Sequence, residues 1–251
     1  LNGDININKD KSYQILIEIN DYNQNTSYIE AYIKGTAKKE DHIQTTYNLI
    51  DPVKEHLFEF EDQKVFFPKK NFFNNVNVKI EKKGDTLIVG ENIYPLRKSY
   101  EVYHKIPKGD SIGISQSFLS LINKNGDATF FSSTIKDGYW YGKSNILGKY
   151  IVSRDSVPPE IKKINFKDQQ WLSNYKYLKL NISDDFSGIK KIRGEINGRW
   201  ILLEYEPKNK SLIYDFSDLN FKKPLHKLEI LAEDQAGNKK VFKTEFYRKP
   251  K

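Results

Sequence analysis

The chain has 251 residues, with 41 Lys and Arg against 33 Asp and Glu and no cysteine. That length accommodates two ordinary domains plus a fragment, and the lack of cysteine excludes a disulfide framework and any thiolate-bound metal. An apolar share of 38% with 14% aromatics supports buried cores rather than disorder, and no apolar run reaches the ~20 residues needed to span a bilayer.

The charge is uneven. Residues 157–251 hold 20 Lys and Arg against 13 Asp and Glu, most of the net +8. Such an excess favours an anionic partner: a cell-wall polymer, lipid headgroups or nucleic acid. The plainer alternative is a solvated face, because the lysines are scattered among acids. No nucleic-acid-binding signature accompanies the charge, so nucleic acid is not expected as a partner.

In chain order, Tyr13 to Asp21 alternates apolar and polar residues, Asp21-Tyr22-Asn23-Gln24-Asn25 turns, and Tyr28 to Ile33 alternates again. The same pattern returns at the far end, where His226 to Glu233 meets Asp234-Gln235-Ala236-Gly237-Asn238 and then Val241 to Tyr247. This internal repeat makes residues 1–50 the C-terminal hairpin of a truncated immunoglobulin-like domain plus a connector. An isolated hairpin is marginal in water. Either the missing strands precede Leu1, or the hairpin docks on its neighbour.

Residues 51–156 read as a β-sandwich. Strands are expected at His56–Phe60, Val76–Glu81, Thr86–Val89, Ser99–His104, Ile112–Ser117, Phe118–Ile122 and Ala128–Ser132, with an exit strand at Leu147–Val152. Lys83-Gly84-Asp85 and Asn125-Gly126-Asp127 are hairpin turns. Few helices are expected, with one short turn near Asp51 to Glu55.

Val157-Pro158-Pro159 is a linker, because proline resists both helix and central strand. Residues 157–251 then read as a seven-strand immunoglobulin-like sandwich. Its strands are Ile161–Phe166, Tyr177–Ile182, Ile189–Ile196, Arg199–Tyr205, Ser211–Phe216, His226–Glu233 and Val241–Tyr247. Asn197-Gly198 marks a two-residue hairpin. The predicted fold class is all-β, tandem immunoglobulin-like β-sandwich domains.

The candidate chemistry is sparse. His42, His56, His104 and His226 form no zinc-ligand spacing, and His226 reads as an exposed strand residue. Asp184, Asp185 and Ser187, or Asp234 and Asn238 if the two turns converge, could ligate calcium. Calcium wants six to eight oxygens, so the favoured role for each Asp is to bond its own turn backbone while Gly188 or Gly237 takes positive φ. The structural turns are therefore Asp21, Asn25, Asp184, Asp185, Ser187, Gly188, Asn197, Gly198, Asp234, Gly237 and Asn238. Gly113-Ile114-Ser115-Gln116-Ser117 lacks the last glycine of a serine-nucleophile elbow. Tyr139-Trp140-Tyr141 is the binding-patch candidate, since aromatic faces stack on sugars or anchor interfaces. Its alternative is a strand with Trp140 in the core and the tyrosines on the rim.

A resemblance accompanies these residues. Asn92-Ile93-Tyr94-Pro95-Leu96, Leu147-Gly148-Lys149-Tyr150, Asp155-Ser156-Val157-Pro158-Pro159 and Trp171-Leu172-Ser173 contribute to it. So do Ile182-Ser183-Asp184-Asp185-Phe186-Ser187-Gly188-Ile189, Asn197-Gly198-Arg199-Trp200-Ile201, Tyr214-Asp215-Phe216 and Phe246-Tyr247-Arg248-Lys249. Together they resemble the C-terminal immunoglobulin-like region of Gram-negative envelope proteins related to lysostaphin-type zinc peptidoglycan endopeptidases. The resemblance implies a non-catalytic region in this chain, with no cofactor of its own and any zinc-bearing peptidase domain upstream of it. It implies export to the periplasm or outer membrane, and partners among envelope proteins, an outer-membrane complex or peptidoglycan.

Overall fold

The computed structural model describes residues 7–36, 47–107, 111–220 and 222–250. The chain divides into a unit ending at Thr46 and a unit starting at Tyr47. In the first unit, β1 (Ser12–Asn20) and β2 (Thr26–Lys34) form an antiparallel hairpin with Ile17 opposite Ile29 and Ile15 opposite Ala31. Period-2 alternation puts Tyr13, Ile15, Ile17, Ile19, Ile29 and Ile33 on one face, and Ile17, Ile19 and Ile29 are about half exposed.

The second unit begins with a sandwich built from β3 (Asn48–Ile50), β4 (His56–Glu59), β5 (Gln63–Phe67), β6 (Val76–Val78), β7 (Ile80–Lys83) and β8 (Thr86–Val89). It continues through β9 (Tyr100–Lys105), α1 (Ser111–Ser115), β10 (Ser117–Ile122), β11 (Ala128–Ser132), β12 (Thr134–Lys136), β13 (Tyr139–Ser144) and β14 (Gly148–Arg154). One sheet runs β11-β10-β14-β8-β7, the other β12-β13-β9-β5-β4, and β3 pairs with β6. Their inner faces bury Val65, Phe67, Tyr100, Leu119, Trp140 and Tyr150 in one core. The two buried tyrosine hydroxyls satisfy each other at 2.8 Å, as polar groups in a core must.

Two sequence expectations change here. Ile112–Ser117 is not a strand: α1 occupies Ser111–Ser115 and β10 starts at Ser117. A six-residue alternation is too short to separate a strand from one helical turn. The short turn near Asp51 is present, the Lys54 N–H donating to the Asp51 carbonyl at 3.1 Å. Ile50, placed in the connector by sequence, is 1% exposed in the sandwich core.

The last sandwich comprises β15 (Glu160–Lys163), β16 (Gln170–Trp171), β17 (Tyr177–Ser183), β18 (Ile189–Ile196), β19 (Arg199–Ile201), β20 (Glu204–Glu206), β21 (Ser211–Asp215), β22 (Leu225–Asp234) and β23 (Lys239–Tyr247). Its sheets run β15-β17-β21-β20 and β16-β23-β22-β18-β19, with β16 parallel to β23 and all other pairs antiparallel. This is the two-sheet order of an immunoglobulin-like domain. The alternating residues of both sheets meet in a core of Leu178, Leu180, Ile182, Tyr214, Ile230 and Phe246.

Arg199–Tyr205, expected as one strand, is two. β19 extends one sheet and β20 joins the other. Leu203 packs at the crossing because Gly194 leaves it room: a Cβ there would sit 2.4 Å from the Leu203 side chain. Ile201 turns inward, while Trp200 and Leu202 are each 55% exposed. His226 is also corrected, from exposed to 2% exposed, since it falls in phase with Leu228 and Ile230 on the inner face of β22.

The repeat seen in sequence is repeated in geometry. Asp21 Oδ1 accepts from the Asn25 N–H at 2.9 Å and Oδ2 from Asn25 Nδ2 at 2.8 Å. Asp234 and Asn238 make the same two bonds, each at 2.8 Å.

Candidate functional site

The two sandwiches of the second unit meet where α1, β10 and β14 of the first face the β17–β18 and β22–β23 turns of the second. Asp155 directly follows the exit strand β14, two residues before Val157 begins the linker. Its N–H donates to the Gln116 carbonyl at 3.0 Å, and its own carbonyl accepts from Asn238 Nδ2 at 2.9 Å. Its carboxylate accepts from the Val157 N–H at 3.0 Å and the Ser187 N–H at 3.1 Å. Gln116 closes the junction, donating to Asn238 Oδ1 at 2.7 Å while accepting from Arg154 at 3.0 Å. Phe118 stands edge-on to Phe186, ring centroids 5.3 Å apart.

These turns do converge. One oxygen each of Asp155, Asp184 and Asp234 lies within 4.8 Å of the others, with Asp155 and Asp234 buried. Burial pushes the Asp234 carboxyl above the usual carboxylate range. The bonds from Asn238 oppose that rise, and the charges of Asp184 and Asp155 add to it. Among the described residues no Lys or Arg pairs with any of the three.

Three carboxylates hold six oxygens at most, the lower end of the six to eight that calcium takes. Several of these oxygens accept from turn backbone: Asp184 Oδ1 accepts from Gly188 at 2.7 Å and from Phe186 at 3.2 Å. The geometry is that of a staple between turns. Gly188 and Gly237 hold φ of 83° and 87°, as such turns require. Asp185 is exposed. Asn197 and Gly198, at φ of 51° and 78°, form the β18–β19 turn, and Asn197 Nδ2 lies 3.0 Å from His226 Nδ1.

The aromatic patch is rearranged. Trp140 is 4% exposed and belongs to the core, leaving the patch because alternation along β13 sends it inward. Tyr139 and Tyr141 point outward and are joined by Tyr103 of β9, which sits opposite Tyr141. Tyr103 and Tyr141 both donate to the Glu101 carboxylate, the latter at 3.1 Å. Burial alone would raise the Glu101 carboxyl, but these bonds and nearby Lys143 and Lys136 outweigh it and hold it low. Lys64 lies 4.7 Å over the Tyr139 ring and Lys136 5.1 Å over Tyr141. A recess of about 370 Å³ opens beside them, lined by Leu57, Phe66, Glu101, Tyr103 and Tyr139.

Sequence reasoning missed Asp155, Gln116, Glu101 and Tyr103. The signal for the last two was present, since Tyr100, Val102 and their alternates define the two faces of β9.

No family profile and no curated protein matches the chain. Among solved structures it is similar to the fibronectin(III)-like modules of Clostridium thermocellum CbhA. That similarity has a TM-score of 0.29 and 14% identity, over 61% of this chain and 86% of the other. At those values the fold stands on the strand order described above.

Proposed function

We propose that the chain is the non-catalytic scaffold and interaction region of a cell-envelope protein related to peptidoglycan peptidases, exported to the periplasm or held at the outer membrane. The observation that carries a scaffold role is the junction. Asp155, Gln116 and Asn238 tie two complete sandwiches through side-chain and backbone bonds, which suits holding two faces in a fixed relation. The envelope setting rests on the sequence resemblance alone. Fractionating cells that produce the native protein tests it: recovery with periplasmic or membrane material is expected, and recovery with soluble cytoplasmic protein would overturn it.

The alternative is a glycan- or cell-wall-binding module. It is favoured by the recess beside Tyr103 and Tyr139, where rings can stack on sugar faces and Glu101 can accept from hydroxyls. Against it, Lys64 and Lys136 already cover two of the rings. Co-sedimentation with insoluble peptidoglycan separates the two. A glycan module binds and loses binding in Tyr139→Ala and Tyr141→Ala, whereas a scaffold that docks on protein shows no sedimentation dependent on these tyrosines.

A further inference from the structure

The last sandwich carries a second recess, at the end where the β18–β19 turn meets the connection from β21 to β22. It measures about 530 Å³, and its walls include Arg199, Lys222, Lys223 and Lys227, with Leu219 and Leu225. No Asp or Glu lines it among the described residues. Arg199, Lys222 and Lys223 form no ion pair among the described residues, and Lys227 makes only a long one, 3.6 Å to Glu245. His226 forms part of the wall, and burial pushes its imidazole below the ordinary range, so the positive charge comes from the arginine and lysines.

A concavity lined by one sign of charge over low-dielectric walls focuses the field and concentrates counter-ions. Unlike the strand lysines that pair with Glu229 and Glu233, Arg199, Lys222 and Lys223 are left without an ion pair among the described residues. Arginine presents a planar fork of donors suited to a tetrahedral oxyanion, and lysine adds point charge. Three unpaired cations favour a dianion over a single carboxylate. Leu219 and Leu225 give the organic body of such a ligand an apolar wall, and a second recess of about 540 Å³ sharing Arg199 and Leu219 continues past exposed Trp200. Among the described residues, the only acid on that second recess is Asp218.

We propose that this recess binds a phosphate group, free or at the head of a larger molecule, with Arg199 as the bidentate contact and Lys222 and Lys223 completing the charge. The site does not depend on the scaffold role. It gives the basic excess of the last sandwich a location.

The test uses the full chain at low ionic strength. Inorganic pyrophosphate is titrated against tryptophan fluorescence and by calorimetry, and vesicles of phosphatidylcholine with and without phosphatidic acid are tested by co-sedimentation. The Arg199→Ala/Lys222→Ala/Lys223→Ala variant is expected to weaken binding at least tenfold with an unchanged melting temperature. Arg199→Lys should retain charge but lose several-fold through loss of the fork. A control, Lys208→Ala/Lys210→Ala, lies at the other end of β21 and should bind as the parent does.

Pyrophosphate binding lost in the triple variant assigns a soluble phosphorylated ligand, and vesicle binding alone lost assigns a lipid headgroup. Absence of binding to both probes overturns the proposal. So does binding untouched by the triple variant, or weakened equally by the control, which would indicate diffuse charge.

Discussion

At the scale of single residues, the acidic junction makes a signed prediction. Asp234 has a raised carboxyl, so the folded state holds that proton more tightly than the unfolded chain does. Its contribution to stability is therefore greatest at acid pH and falls as pH rises through the folded pKa. Part of the rise comes from Asp184. Asp184→Asn keeps an oxygen to accept from Gly188 and removes the charge. It is expected to raise stability at pH 8 by about 1 kcal/mol, and by less at acid pH, where Asp234 holds its proton. Urea unfolding with a chelator present reads this directly, and a gain independent of pH would refute the electrostatic account. Trp140 offers a second check. Trp140→Ala removes a core ring and should cost about 3–5 kcal/mol, while Tyr139→Ala on the outer face should cost much less.

Arg248 is a third case at this scale. It is 6% exposed, donates to the Tyr175 carbonyl at 3.0 Å and lies 3.9 Å over the Phe216 ring. Arg248→Lys retains charge without the planar fork or the stacking. A loss of about 1–2 kcal/mol is expected from thermal unfolding, and a neutral result would mean the guanidinium contributes only length.

At the scale of elements, the same five-residue turn serves two hairpins in different surroundings. In the last sandwich Gly237 takes the left-handed position at φ 87°, while in the first hairpin Gln24 takes it at φ 63°. A side chain there costs about 1 kcal/mol, so Gln24→Gly should stabilise the β1–β2 hairpin, and its amides should show slower hydrogen exchange. The β22–β23 amides should be protected far longer than those of β1–β2, because β22 is also paired to β18 over a buried face and two strands alone are marginal. Comparable protection in both hairpins would show that β1–β2 is covered by other chain.

The strands that alternate cleanly were legible from sequence: β17, β22 and β23 emerge close to their observed ends. Gln63–Phe67 was not recognised, because its inward set opens with a polar residue, Gln63, which is 0% exposed. Arg199–Tyr205 looked continuous because nothing local marks a switch between sheets. That switch is made possible by Gly194, which lies on a neighbouring strand.

At the scale of the whole molecule, the junction fixes one sandwich against the other. The natural absence of cysteine allows clean spin labels at exposed Lys83 and Lys243, one on each sandwich. A narrow distance distribution is expected for the parent. Asp155→Ala removes the acceptor of both the Val157 and Ser187 N–H groups and should broaden it. A distribution already broad in the parent would refute a fixed scaffold, and with it the observation on which the proposed function most depends.

The sequence by itself determined the all-β class, the tandem sandwiches, the turn chemistry of Asp21, Asp184, Asn197 and Asp234, and the repeat of the hairpin. These follow from period-2 alternation and from turn residues that bond their own backbone, both local properties. Only the tertiary structure decided that Asp155, Asp184 and Asp234 meet, that Tyr103 replaces Trp140 in the aromatic face, and that Arg199 shares a recess with Lys222 and Lys223. Those groupings join residues tens of positions apart. Sheet packing brings them together, and no pattern along the chain encodes that distance.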